Sequence, residues 1–174
     1  QLFGSFRLLR RLGEGGMGTV YEATHTIIGY RAAVKVLHPQ FTSNREYSRR
    51  FLDEAKAVNI VEHPGIVSIF DFGQRDDGSL YIVMEYLRGR TLEALLSRNQ
   101  RGLPVELAIE LMDQLTQAIA AAHQKEIVHR DIKPANVMLL DDPLLPGALR
   151  VKILDFGIAK LSGRGGLEEA RTAG

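Results

Sequence analysis

His129-Arg130-Asp131-Ile132-Lys133-Pro134-Ala135-Asn136 sets a carboxylate, an amine and a carboxamide close together in one short segment. Asp131 can accept or orient a hydroxyl proton. Lys133 can neutralise a transferring phosphoryl group. Asn136 offers a neutral oxygen to a hard cation such as Mg²⁺. The bland alternative is a charged turn after a helix, and a second motif argues against it. Asp155-Phe156-Gly157 follows the apolar run Val151–Leu154 directly. A carboxylate at the end of a buried strand is a costly placement unless it meets a cation. Asp71-Phe72-Gly73 spells the same tripeptide. It precedes His129-Arg130-Asp131, so position in the series marks it as a strand end and turn.

Upstream, Gly13-Glu14-Gly15-Gly16-Met17-Gly18-Thr19-Val20 is a G-x-G-x-x-G-x-V loop. Its glycines let backbone amides approach an anion closely, although a glycine-rich hairpin would look the same. A strand follows it, which excludes a dinucleotide-binding βαβ unit. No Gly-Lys-Ser/Thr follows, which excludes a Walker A loop. Lys35, in Ala32-Ala33-Val34-Lys35-Val36, lies either at a solvent-facing edge or in a cleft beneath the loop, where it could hold two phosphates. Glu54 is an ordinary helix glutamate by itself, and beside Lys35 it would orient the amine.

Positioning these groups takes two kinds of element. Phe6–Leu12, Thr19–Thr24, Arg31–Leu37, Ile66–Phe72 and Leu80–Tyr86 read as strands, with turns near Gly29 and Arg75–Ser79. Tyr47, Phe51, Ala55 and Val58 recur at helical spacing, predicting a helix over Glu46–Val61 that His63-Pro64-Gly65 stops. Thr91 is the expected N-cap of a helix carrying Leu92, Leu95 and Leu96. Pro104 opens a long helix to about Gln124, its inward face marked by Leu107, Leu111, Leu115 and Ile119. Short segments follow at Ile127–Val128, Val137–Leu140 and Val151–Leu154. Asp141–Gly147 reads as a surface loop, and the Gly-rich tail from Ser162 as mobile. The halves join near Leu87–Gly89.

The 174 residues are 45% apolar, enough for a sizeable core. With 22 Lys and Arg against 21 Asp and Glu, the net charge of +1 gives no argument for nucleic acid or an anionic membrane as partner. The lack of cysteine excludes disulfides, zinc ribbons and a thiol nucleophile. No apolar run approaches a membrane span, so a soluble, cytoplasmic protein is the expectation.

The series of glycine loop, Ala-Val-Lys, helical Glu, His-Arg-Asp with Asn, and Asp-Phe-Gly resembles the eukaryotic-type protein kinase family. Lys133 looks like the serine/threonine branch. The wording Leu-Gly-Glu-Gly-Gly-Met-Gly-Thr-Val-Tyr-Glu-Ala looks bacterial. The resemblance implies an α+β, protein-kinase-like fold. A complete β-rich N-lobe with one helix would span 1–87, and a truncated, mainly helical C-lobe 88–174.

Roles follow by the same resemblance. Leu12, Gly13, Glu14, Gly15, Gly16, Met17, Gly18, Thr19 and Val20 would form the nucleotide-binding loop, its glycines over the ATP phosphates. Lys35 would hold the α- and β-phosphates and pair with Glu54. Val20, Ala33 and Met138 would sandwich adenine, Glu85 and Leu87 would bond it through backbone, and Met84 would be the gatekeeper. Asp131 would be the base and Lys133 would steady the γ-phosphate. Asn136 and Asp155 would hold Mg²⁺. Val58, Ile69, His129 and Phe156 would stack as a regulatory spine. Thr172, with Arg130 as partner, is the best candidate for activation-loop phosphorylation, and Ser162 a weaker one.

Two departures go with the resemblance. The chain stops at Gly174, within what would be the activation loop, and Arg171-Thr172-Ala173-Gly174 looks like the run into an Ala-Pro-Glu motif. The stretch from Asn136 to Asp155 is longer than usual. The implied activity is phosphoryl transfer to serine and threonine of protein substrates, with self-association for autophosphorylation. The alternatives are a pseudokinase or nucleotide-binding scaffold and a small-molecule kinase. Intact catalytic positions argue against the scaffold, and the tight glycine loop and Lys133-Pro134 argue against a small-molecule substrate.

Overall fold

Residue alternation along Arg31–Leu37 explains the centre of the fold. Ala33 and Leu37 point to one face and Ala32 and Val34 to the other, and all four are buried. A strand apolar on both faces needs cover on both sides. In the computed structural model, which describes residues 1–42, 44–143, 145 and 147–155, without the side chains at 45–47, 50, 54 and 57, it has that cover.

Among the described residues, the first half forms a six-stranded antiparallel sheet. Its strands are β1 (Leu2–Phe3), β2 (Phe6–Glu14), β3 (Gly18–His25), β4 (Arg31–Leu37), β5 (Ile69–Gln74) and β6 (Leu80–Glu85), in the order β1-β2-β3-β4-β6-β5. On the outer face Phe3, Phe6, Ala23, Ala32, Val34, Tyr81 and Val83 form a small core, with Phe3 edge-on to Tyr81 at 5.3 Å. The inner face packs on α2 (Arg45–Ile60) through Phe51, Ala55 and Val58. A four-residue helix, α1 (Pro39–Thr42), precedes α2, where the sequence suggested a single helix.

The second half contributes α3 (Leu92–Arg98), α4 (Val105–His123), a 3₁₀ turn at Pro134–Asn136, and a sheet of β7 (Gly89–Thr91), β8 (Val137–Asp141) and β9 (Leu149–Ile153). Thr91 caps α3 as expected, its hydroxyl accepting from Ala94 N at 3.1 Å. Pro104 is the N-cap of α4 rather than part of its first turn. Leu111, Leu115, Ala118 and Ala122 are the buried stripe of α4, with Leu107 and Ile119 at its margin. One large core joins α2, α4, the inner face of the first sheet and the buried side of the second. No described helix is long and apolar enough to cross a membrane.

Several boundaries differ from the sequence reading. β5 begins at Ile69, not Ile66, because residues 65–67 give their backbone to β9: Val67 N donates to Ile153 O at 3.0 Å and Ile153 N to Gly65 O at 2.8 Å. β2 runs past Gly13, since Glu14 still pairs with Thr19. Ile127–Val128 forms no strand, and Asp141 belongs to β8 rather than to the loop after it. Asp71-Phe72-Gly73 lies within edge strand β5 instead of at its end.

Candidate active site

Sheet register brings the first group together. Val20 on β3, Lys35 on β4 and Ile82 on β6 stand in one row, and Ala33 stands opposite Met84 in the next. Opposed residues share a face, so Val20, Ala33, Lys35 and Met84 all look inward. Across from them, β8 presents Met138, which pairs with Thr91. A cavity of about 530 Å³ lies between the two sheets. Leu12, Gly13, Val20, Ala33, Met84, Glu85, Leu87, Met138 and Asp155 line it, all of them singled out from sequence. Val67, Tyr86, Leu154, Arg10, Arg88 and Arg90 line it too, without any motif to announce them.

Lys35 is buried, and its Nζ lies 2.8 Å from Asp155 Oδ1. The ion pair joins β4 to the residue pair beyond β9 and satisfies an ammonium otherwise costly to bury. Asp155 has a φ of +38°, the left-handed region that side chains seldom adopt. The Glu54 side chain lies outside the described residues, as do Phe156, Gly157, Ser162 and Thr172.

The glycine loop divides into two parts. Gly18 and Thr19 belong to β3 and serve the roof, where a Cβ at Gly18 would run into the Val36 carbonyl. Gly15 N donates to Gly18 O at 2.9 Å, closing the loop, and Cβ atoms at Gly13 or Gly16 would meet open space. Glu14, Gly15, Gly16, Met17, Gly18 and Thr19 are not among the lining residues, and Met17 packs against the main core.

The second group is held by its own hydrogen bonds. His129 is buried: its Nε2 donates to Leu154 O at 2.8 Å and its Nδ1 accepts from Asp131 N at 3.2 Å. Those two bonds specify the neutral Nε2–H tautomer. Burial holds the imidazole below the ordinary histidine range, against the opposing pull of the Leu154 carbonyl and of the Asp131 and Asp155 carboxylates. Asn136, also buried, donates from Nδ2 to Asp131 O at 2.9 Å and to Asp131 Oδ2 at 3.2 Å. Lys133 Nζ stands 3.2 Å from the same Oδ2. Leu154 N donates to Asn136 O at 2.8 Å, tying this group to the segment bearing Asp155. Arg130, at φ +63°, makes the sharp turn between His129 and Asp131. Val58 and Ile69 share the main core.

Glu85, which lines the cavity, also makes bonds within the protein. Its N–H donates to Ser68 O at 3.0 Å, so that group is engaged within the protein. Its carboxylate accepts from Ser68 N at 2.7 Å and pairs with Lys152, whose Nζ also donates to Ile66 O at 3.0 Å.

Residues 6–172 match the model of the protein kinase domain, and the chain belongs to that family. It is 46% identical over 159 residues to serine/threonine-protein kinase Pkn1 of Myxococcus xanthus, covering 91% of this chain and 22% of that protein. Against PrkC of Bacillus subtilis the figures are 42%, 91% and 23%. PknA of Mycobacterium tuberculosis is 39% identical over 163 residues, with 91% and 36% covered. The chain thus spans between about a fifth and a third of the length of these curated relatives. Its fold matches the crystal structure of the M. tuberculosis PknI kinase domain with a TM-score of 0.75 and 33% identity, over 91% of this chain and 62% of that one.

Proposed function

We propose that this chain is the nucleotide-binding and catalytic part of a protein kinase, transferring the γ-phosphoryl group of ATP to serine and threonine hydroxyls of proteins. The observation that carries the reading is the meeting of Lys35 and Asp155, 120 positions apart, at the edge of an apolar cavity. Residues 1–87 and 88–174 act as its two lobes. Leu12, Val20, Ala33, Met84, Leu87, Met138 and Leu154 suit a flat heterocycle. The glycine loop and Lys35 face its phosphates, and Glu54 orients the Lys35 amine.

Mg²⁺ fits the donor set. Asn136 spends its Nδ2 on Asp131 and has its amide oxygen left to offer, and Asp155 adds a carboxylate. Both are hard oxygen donors. Held by Asn136 and Asp155, the ion would supply positive charge to offset the negative charge of the phosphates. Asp131 accepts the proton of the attacking hydroxyl as its oxygen bonds to the γ-phosphorus and the bond to the β-phosphate oxygen breaks. Lys133, beside Asp131, stabilises the charge on the transferring group. The protein acts in the cytoplasm on polypeptides, a second copy of itself among them.

The test is to incubate the complete protein with γ-labelled ATP, Mg²⁺ and casein, then hydrolyse and separate the phosphoamino acids. Labelled phosphoserine or phosphothreonine is expected. Label confined to tyrosine, or none, would overturn the reading.

A further inference from the structure

His38 follows β4 directly, three positions beyond Lys35, and its backbone N–H, its carbonyl and its Nε2 are engaged. Its backbone N–H donates to Met17 O at 2.9 Å. Its carbonyl accepts from Phe41 N at 2.9 Å and from the Thr42 hydroxyl at 3.3 Å, anchoring α1. Its Nε2 lies 3.1 Å from Gly15 O. A carbonyl only accepts, so Nε2 carries the proton and donates. The same nitrogen is 3.8 Å from Glu14 Oε1, and the other oxygen of that carboxylate pairs with Arg11 at 2.8 Å. One residue thus grips the glycine loop on both sides of its tip, at Gly15 and at Met17.

We infer that His38 is a positioning residue for phosphoryl transfer, holding the tip of the glycine loop in fixed relation to Lys35. The loop's own means of staying put are few. Beyond the β2–β3 ladder, which reaches Glu14 and Thr19, the tip is closed by Gly15 N to Gly18 O, and its glycines restrict the backbone least of all residues. Loop amides can receive phosphate only if their approach is held at one height above Lys35. β4 supplies that height, because it carries Lys35 and leads directly into His38. Met17 O is held by the His38 backbone N–H, which any residue but proline supplies. Gly15 O is held by the side chain, which a histidine or another residue with a donor at that reach supplies.

The inference rests on the kinase reading, and one experiment separates the two. ATP titrations of peptide phosphorylation would be run on the complete protein as wild type, His38→Leu and His38→Gln, with thermal unfolding of each. Leucine keeps bulk without a donor, and glutamine restores a donor. For His38→Leu, KM for ATP is expected to rise about three- to tenfold, the worth of one hydrogen bond. kcat should change less than twofold, and the unfolding midpoint should stay close to wild type. His38→Gln should recover most of the KM. An unchanged KM in a folded His38→Leu would overturn the inference, and so would a KM for His38→Gln as poor as for His38→Leu. A wild-type protein with no turnover would overturn the kinase reading instead.

Discussion

Lys35 and Asp155 form a pair unequal in burial, the lysine side chain 11% exposed and the aspartate 45%. Removing the lysine leaves a carboxylate that water can reach, so folding should tolerate the change better than loss of a buried pair. Lys35→Met is therefore expected to keep its unfolding midpoint within a few degrees while phosphoryl transfer falls about a hundredfold or more, the usual cost of losing one preorganised charge donor. Parallel melting curves and labelled-phosphate assays would check both halves. His129 gives the opposite case, a titratable group whose burial favours the neutral form. As pH falls, the unfolded chain takes up this proton before the folded one does. The stability gained from neutral His129 is complete above pH of about 6.5, the ordinary histidine value, and is lost below it toward the lower folded-state value. Between pH 7.5 and 5.5 the wild-type midpoint should fall more steeply than that of His129→Gln, as scanning calorimetry would show.

At the scale of elements, the site depends on how β9 is fastened. Lys152 on β9 reaches both Glu85 at the end of β6 and the Ile66 carbonyl, and its side chain and that of Glu85 are mostly buried. Lys152→Met should destabilise the fold by about 1–2 kcal/mol, since it leaves a mostly buried carboxylate and a carbonyl without a cation. Urea unfolding of Lys152→Met, Glu85→Gln and the double variant would show it as a coupling energy.

The same fastening explains what sequence could not reveal. Ile66 and Val67 look like strand residues because they are apolar, but their segment's hydrogen bonds go to β9 across a parallel bridge that no local pattern encodes. β1 and β7 are two and three residues long, too short for any period to register. Thr91 was legible because capping is a local rule, whereas Arg88 and Arg90 reach the cavity only through the path of the chain after β6.

For the whole molecule, legibility followed chemistry. Lys35, Asp131, Asn136 and Asp155 stand out because their residue types and order suit the proposed reaction, and Val20, Ala33 and Met138 came with them through the family resemblance. Val67 and Leu154 close the same cavity as plain apolar residues, so only the packing of the two sheets identifies them. That packing is a single core spanning both halves, which leaves the cavity as a gap between sheets held at fixed spacing. In the proposed function, this gap presents ATP to a hydroxyl held at Asp131. That role is tested most directly by single-turnover phosphoryl transfer in the complete protein and in Asp131→Asn, with ATP affinity measured on the same samples. In Asp131→Asn the rate is expected to be lower by about a hundredfold or more, the scale of general-base catalysis, with affinity within about twofold of wild type. Transfer at the wild-type rate in Asp131→Asn, or equal losses of rate and affinity, would contradict it.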